Sequence, residues 1–253
     1  MFQPRVALAS LSGEADAAWA HAVEEHAGCA FLGGIALDEP TRAAARELLD
    51  RDREEFLPAD PIAFVDEQLS ALADAPIRPA YNVRSASLDP IEQIARVCRN
   101  HDAVLELNAH CRQDEMCRAG AGERLLREPD RLAEQVAAAA ADAGAAVSVK
   151  VRTEVDGVDL PTVAARAVDA GADAIHVDAM DSEPVVGEVR AAVPDAFLVA
   201  NNGVRGRESV REYLELGADA VSVGRPSDDP RVLRRVGRAV EELPGLREVS
   251  ADA

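Results

Sequence analysis

A closed barrel of eight βα units, the (β/α)8 fold of the α/β class, is the architecture this sequence predicts, and three observations predict it. The chain has 253 residues, the usual size of one complete barrel. Short β-branched runs alternate with alanine-rich helical stretches along its whole length, the pattern of repeated βα units. The phrases Asp142-Ala143-Gly144-Ala145, Asp169-Ala170-Gly171-Ala172 and Glu215-Leu216-Gly217-Ala218 recur just before apolar runs. Each supplies a glycine where a helix ends and the chain turns back into the barrel.

Taken in order, the expected strands are Val6–Ser10, Cys29–Ile35, Pro79–Arg84, Val104–His110, Ala146–Arg152, Ala174–Asp178, Phe197–Asn202 and Ala220–Gly224. Helices fill the gaps, several after turn or cap residues such as Asp38, Asp89 and Ser227. The stretch from about 51 to 74 exceeds an ordinary βα connection, so an extra helix is expected there over the mouth or wall. A helix from Pro230 to Glu242 and a short polar, disordered tail from about 245 to 253 complete the reading, a single domain over residues 1–253.

Composition narrows the class of function. Hydrophobic residues make up 48% of the chain, which excludes a disordered protein. No apolar run approaches a membrane span, and Met1-Phe2-Gln3-Pro4-Arg5 lacks a signal-peptide layout, so the expected location is cytoplasmic, away from any membrane. The 46 acidic against 27 basic residues give a net charge of −19, a balance not built to grip phosphate backbones. Lys150 is the sole lysine; every other basic residue is arginine. An acidic, lysine-poor surface is what a high-salt, halophilic cytoplasm favours. The four cysteines form no CxxC pair, and no metal site is expected; Cys111 and Cys117 read as buried or catalytic.

Strand alternation turns this map into a site. Ser148, Lys150 and Arg152 share the inward face of the fifth strand, and Glu106, Asn108 and His110 that of the fourth. His176 and Asp178 point inward from the sixth, Ala200 and Asn202 from the seventh, and Ala220, Ser222 and Gly224 from the eighth. Polar groups thus converge at the C-terminal ends of successive strands, where barrel active sites lie. A lone lysine inside a barrel points to a need for an ammonium. Asn202-Gly203-Val204 and Gly224-Arg225 fit the phosphate site common after the last two strands, a signal that suits FMN and a sugar phosphate equally.

The stretch Leu105-Glu-Leu-Asn108-Ala-His-Cys111-Arg, then Gly120-Ala-Gly122, Leu125-Leu126 and Pro129, resembles the dihydrouridine synthase family, with its Asn-x-x-Cys-Pro motif and Gly-x-Gly loop. Lys150-Val-Arg152, His176, Asn202-Gly203 and Gly224-Arg225 continue the resemblance, and Ala7-Leu-Ala-Ser-Leu-Ser-Gly13 is a weaker likeness of its first, flavin-contacting loop. The resemblance implies a flavoprotein oxidoreductase with FMN on the barrel mouth. Lys150 and His176 would lie near the ring, with Ala9, Ser10 and Asn82 as further contacts. Asn202, Gly203, Val204, Gly224 and Arg225 would hold the phosphate. Cys111 would act as general acid on a uracil-like base oriented by Arg152 and Asn108. The implied partners are a uracil-containing substrate, tRNA in the family's tRNA-processing members, and NAD(P)H as electron donor; the oligomeric state is left open.

Arg112 replaces the motif's proline, and the family's strand-six His-x-Arg is His176-Val-Asp178 here. The family also carries a C-terminal helical domain that helps clasp tRNA, and the sequence reads as a shortened, divergent relative without it. Three other readings stay open: a dihydroorotate or dihydropyrimidine dehydrogenase type, a flavin-free aldolase or isomerase using Lys150, and a barrel that binds without turnover. Either Cys111 or Cys117 is the acid under the leading reading.

Overall fold

The computed structural model describes residues 1–141 and 144–243. Asp142 and Ala143 of the first recurring phrase, and the tail expected at 245–253, lie outside the described residues. Eight parallel strands close into one barrel in sequence order: β1 Val6–Leu8, β2 Cys29–Ala36, β3 Arg78–Arg84, β4 Val104–Asn108, β5 Ala146–Arg152, β6 Ala174–Asp178, β7 Phe197–Asn201 and β8 Ala220–Val223. Closure comes from β1 pairing with β8, with Ala7 opposite Ser222. The expected strands overrun at the C-terminal ends of β1, β4, β7 and β8, because those residues already bend into the loops that carry the polar groups.

Between the strands run α1 Ala17–His21, α2 Glu39–Leu49, α3 Pro61–Ala71, α4 Asp89–Asn100, α5 Asp114–Arg118, α6 Arg124–Arg127 and α7 Pro129–Ala140. They continue with α8 Leu160–Asp169, α9 Val185–Ala192, α10 Arg207–Glu215 and α11 Pro230–Glu242. Asp38 caps α2 through the Thr41 N–H, as expected. Neither Asp89 nor Ser227 is itself a cap. Asp89 is the first residue of α4 and makes no capping bond, and Ser227 lies in a short 3₁₀ turn, leaving Asp229 to accept from the Arg231 N–H and start α11. Gly144, Gly171 and Gly217 all take positive φ, the helix-terminating conformation the recurring phrases imply.

The extra helix of the 51–74 stretch is α3. The segment before it returns to the barrel, where Phe56 bridges to Ile35 of β2 and stacks at 5.5 Å on Phe64 of α3. This brings residue 55 to the C-terminal end of β3.

Two apolar layers fix which way the strands face. Val6, Leu8, Leu105, Leu107, Val147, Val149, Ile175 and Val177 pack outward among the helices. Inside, Phe2, Ala7, Cys29, Phe31, Ala80, Val104, Val199 and Ala220 fill the N-terminal half of the barrel. One facing is corrected: Val199 and Asn201 of β7 point inward, while Ala200 packs with the outer cluster. The run Phe-Leu-Val-Ala is apolar on both faces, so its alternation carries no phase. Among the described residues no helix is long and apolar enough to cross a membrane.

Candidate active site

Above the apolar floor the barrel carries a polar layer centred on Glu106, which is wholly buried. Asn82 Nδ2 donates to Glu106 Oε1 at 2.7 Å, His176 Nδ1 to Oε2 at 2.7 Å, and Ser148 Oγ to Oε2 at 3.3 Å. His176 Nε2 faces Ser222 Oγ at 2.7 Å, and Asn201 Nδ2 donates to the same hydroxyl at 2.7 Å and to the Ser222 carbonyl at 3.0 Å. On the other side Asn108 Nδ2 donates to Asn82 Oδ1 at 2.8 Å. Asn108 Oδ1 then accepts the backbone N–H groups of His110 at 3.2 Å and Cys111 at 3.0 Å. The ring of Phe31 lies 5.0 Å from that of His176 and supports it from the floor.

Burial works against an ionised Glu106, but the facing His176, the Lys150 cation and the Asn82 hydrogen bond outweigh it and hold the carboxyl below its usual range. Burial, joined by the Lys150 cation, lowers His176 more than Glu106 raises it. The pair is therefore a carboxylate and a neutral imidazole with its proton on Nδ1. Lys150, 2% exposed, sits across the register from both Asn108 and His176. Among the described residues its ammonium makes no hydrogen bond and no ion pair, an unusual state for a buried lysine.

The rim stands above this layer. Arg152 is paired with Glu123 at 3.1 Å, and its neighbour in register, Asp178, lies 3.7 Å from His110 Nε2. Burial pushes His110 well below its ordinary value, and the positive charge of Lys150, Arg152 and Arg84 adds to the effect. Cys111 is partly buried against Ala36, Ala44, Leu48 and Met116, on a loop closed by the Glu123 N–H donating to its carbonyl at 2.8 Å. Gly122 makes that closure possible: its φ is +65°, and an added Cβ would lie 2.2 Å from the Cys111 carbonyl oxygen. The buried Arg84 guanidinium lies near Cys111 and is ion-paired with Glu55. Cys117, in α5, is partly buried with its thiol pushed up by burial, and Cys29 and Cys98 are buried. The four cysteines are free thiols.

At the ends of β7 and β8 the backbone is open. Asn202 and Gly203 both take positive φ, 89° and 63°. A Cβ added at Gly203 or Gly224 would meet no atom within 4 Å. A cavity of about 460 Å³ lies beside Gly203, lined also by Arg205, Gly206, Arg207, Ser209 and the carboxylates Glu208 and Glu212 of α10. A second cavity, about 390 Å³, runs from Arg152 along the loop to Leu160.

The dihydrouridine synthase family matches the chain over residues 83–245, a stretch holding every one of the polar groups above except those of Asn82 and Glu55. The chain belongs to the dihydrouridine synthase family. It is 25% identical to an uncharacterized protein of Methanocaldococcus jannaschii over 232 residues, 87% of this chain and 88% of that one. A tRNA-dihydrouridine synthase B of Xanthomonas axonopodis is 29% identical over 160 residues, 57% of this chain and 48% of the synthase, so the match spans about half of that enzyme's length. Among solved structures, a dihydroorotate dehydrogenase (DHODH) of Eimeria tenella superposes with a TM-score of 0.68 at 16% identity, covering 96% of this chain and 85% of that one. At that identity the likeness is one of fold.

The structure brings Asn82, and Asn108, Lys150, Arg152 and His176 of the dihydrouridine synthase motifs, to one end of the barrel, with Cys111 on the adjoining loop. Ala9 is buried next to β8, its N–H donating to the Val223 carbonyl, and Ser10 follows at the rim. Val204 is buried, Arg225 is exposed, and Gly224 opens the turn that contains Arg225. Asn202 stands apart from the network, its amide directed at Met180 Sδ, 3.7 Å away. Asn201, Arg84 and Glu55 have roles that their sequence contexts do not announce, and strand alternation gives Glu106 an inward direction but no role. The adjacent pair Asn201-Asn202 left the phase open, and nothing local linked Glu55 to a strand 29 residues later.

Proposed function

We propose that this chain is an FMN-dependent oxidoreductase that transfers hydride between the flavin and the C=C bond of a uracil-like base, with Cys111 as the general acid. The observation that carries the reading is the convergence, at one barrel end, of an unpaired lysine ammonium, a neutral buried histidine and a thiol on a glycine-closed loop, in a member of the dihydrouridine synthase family.

The residues fit the cofactor. The open space over Gly203 and Gly224 suits close approach of a phosphate, and the free Lys150 ammonium awaits an anionic partner. Asn202, Gly203, Val204, Gly224 and Arg225 would hold the phosphate, Lys150 and His176 the ring, and Ala9, Ser10 and Asn82 its surroundings. Bound FMN supplies the hydride chemistry. The chain supplies the rest. Lys150 stabilises negative charge beside His176, which is held in one orientation by Glu106 and Ser222. Cys111 Sγ holds the proton that goes to the second carbon of the reduced double bond. Arg152, steadied by Glu123, faces the base. Both amide atoms of Asn108 are engaged within the protein, so it acts by anchoring the Cys111 loop.

The base belongs to tRNA or to a smaller uracil-containing molecule, and NAD(P)H is the proposed electron donor. Mixing anaerobically reduced protein with uridine-containing tRNA, and separately with free uracil nucleotides, tests this directly. Return of the oxidised flavin colour together with dihydrouridine in one of the two supports the proposal. No reoxidation by either opposes it.

A further inference from the structure

The hydrogen bonds around Glu106 share one polarity. At one end the Ser222 carbonyl only accepts, so the Asn201 atom beside it is the Nδ2 amine, and that amine also donates to Ser222 Oγ. Accepting from Asn201 leaves the hydroxyl proton free to point at His176 Nε2, and the acceptor-only Glu106 carboxylate takes the ring proton on Nδ1. At the other end the backbone N–H groups of His110 and Cys111 only donate, so the Asn108 atom they meet is Oδ1. Asn108 Nδ2 must then donate to Asn82 Oδ1, and Asn82 Nδ2 to Glu106. Both arms, fixed at their outer ends by backbone groups, deliver donors to the centre. Only a group with two acceptor oxygens satisfies them, and an amide has one.

We infer that Glu106 is a positioning residue whose carboxylate sets the His176 tautomer on one side and the seat of the Cys111 loop on the other. For its purpose this rests on the flavin reading: Glu106 ties the group facing the ring to the group delivering the proton. Wholly buried, it touches neither substrate nor cofactor. It also balances Lys150, which otherwise meets the ligand as an uncompensated charge.

Glu106→Gln puts an N–H₂ against one arm. If it faces His176, the ring must move its proton to Nε2. If it faces Asn82, both asparagines flip and the His110 and Cys111 N–H groups lose their acceptor. Nitrogen-15 spectra of the His176 ring, and hydrogen exchange at the His110 and Cys111 amides, read both without any cofactor. Wild-type protein is expected to show the Nδ1–H tautomer. E106Q is expected to show either the Nε2–H tautomer or at least a tenfold faster exchange at those two amides, with E106D restoring the wild-type pattern. An Nε2–H tautomer in the wild type overturns the inference whether or not E106Q folds, as does an E106Q protein unchanged in both readouts. With FMN bound, loss of the Glu106 charge is expected to raise the flavin midpoint potential, since Lys150 then stabilises the anionic reduced ring more strongly. Failure to bind FMN at all would refute the flavin reading and leave the tautomer and exchange results to stand separately.

Discussion

Arg84 and Glu55 meet inside the barrel mouth as an ion pair whose side chains are 1% and 5% exposed. Arg84 Nη1 donates to Glu55 Oε1 at 3.0 Å, and Nη2 donates to Oε2 and to the Gly34 carbonyl. The pair joins the segment before α3 to the end of β3 and places a guanidinium beside Cys111. Removing one partner of a buried pair leaves the other charge without compensation. Glu55→Ala is therefore expected to destabilise the protein by about 3–5 kcal/mol, measured by denaturant unfolding. A loss within the range of an exposed pair would show that Arg84 is reached by water.

Acid sensitivity follows from the two histidines held neutral. Burial sets both His110 and His176 below the ordinary value of 6.5. The unfolded chain then takes up protons first as pH falls, so stability present above 6.5 is lost progressively below it. Each histidine steepens that loss by at most about 1.4 kcal/mol per pH unit. Glu106, held below its usual range, acts in the same direction but at lower pH, below its ordinary value of 4.5. Unfolding free energies measured from pH 7.5 down to 5 should fall, and His110→Gln should flatten the slope. An unchanged slope in the variant would remove His110 from this account.

Gly224→Val tests the phosphate site. Open space lies where a side chain would go, but the glycine's φ −86° and ψ −129° fall outside the regions a β-branched residue adopts. The substitution should cost about 1–3 kcal/mol of stability through that backbone strain, and the folded variant should bind FMN or phosphate about tenfold or more weakly, because the valine occupies the ligand's approach. Undiminished binding by calorimetry would move the phosphate site elsewhere.

Cys111→Ala addresses the proton donor. The thiol makes no structural hydrogen bond through its sulfur to the Glu106 network, which uses only its backbone N–H. Folding and FMN content are expected to persist while reduction of the base falls by about 10²–10⁴-fold, the usual contribution of a general acid. Equal turnover in the variant would transfer the role to Cys117.

Much of this was legible in the sequence, for identifiable reasons. The β5 and β6 strands alternate sharply between valine or isoleucine and polar residues, so their bounds and the inward facing of Lys150, Arg152 and His176 follow directly. Where both faces are apolar, as in β7, alternation has no phase, and the inward asparagine was placed one residue late. The motif spacing located Asn108 and Cys111, but it could not show that both amide atoms of Asn108 are spent inside the protein. Contacts between distant segments, Glu55 with Arg84 and Glu106 with His176, have no local signature. They appear only once the barrel closes.

The visible absorption spectrum of the protein purified in high salt, with identification of any released chromophore, tests the central claim most directly. A yellow protein that releases FMN is expected, and a Lys150→Ala variant that loses it. A colourless protein that takes up no added FMN under the same conditions would contradict the flavin reading.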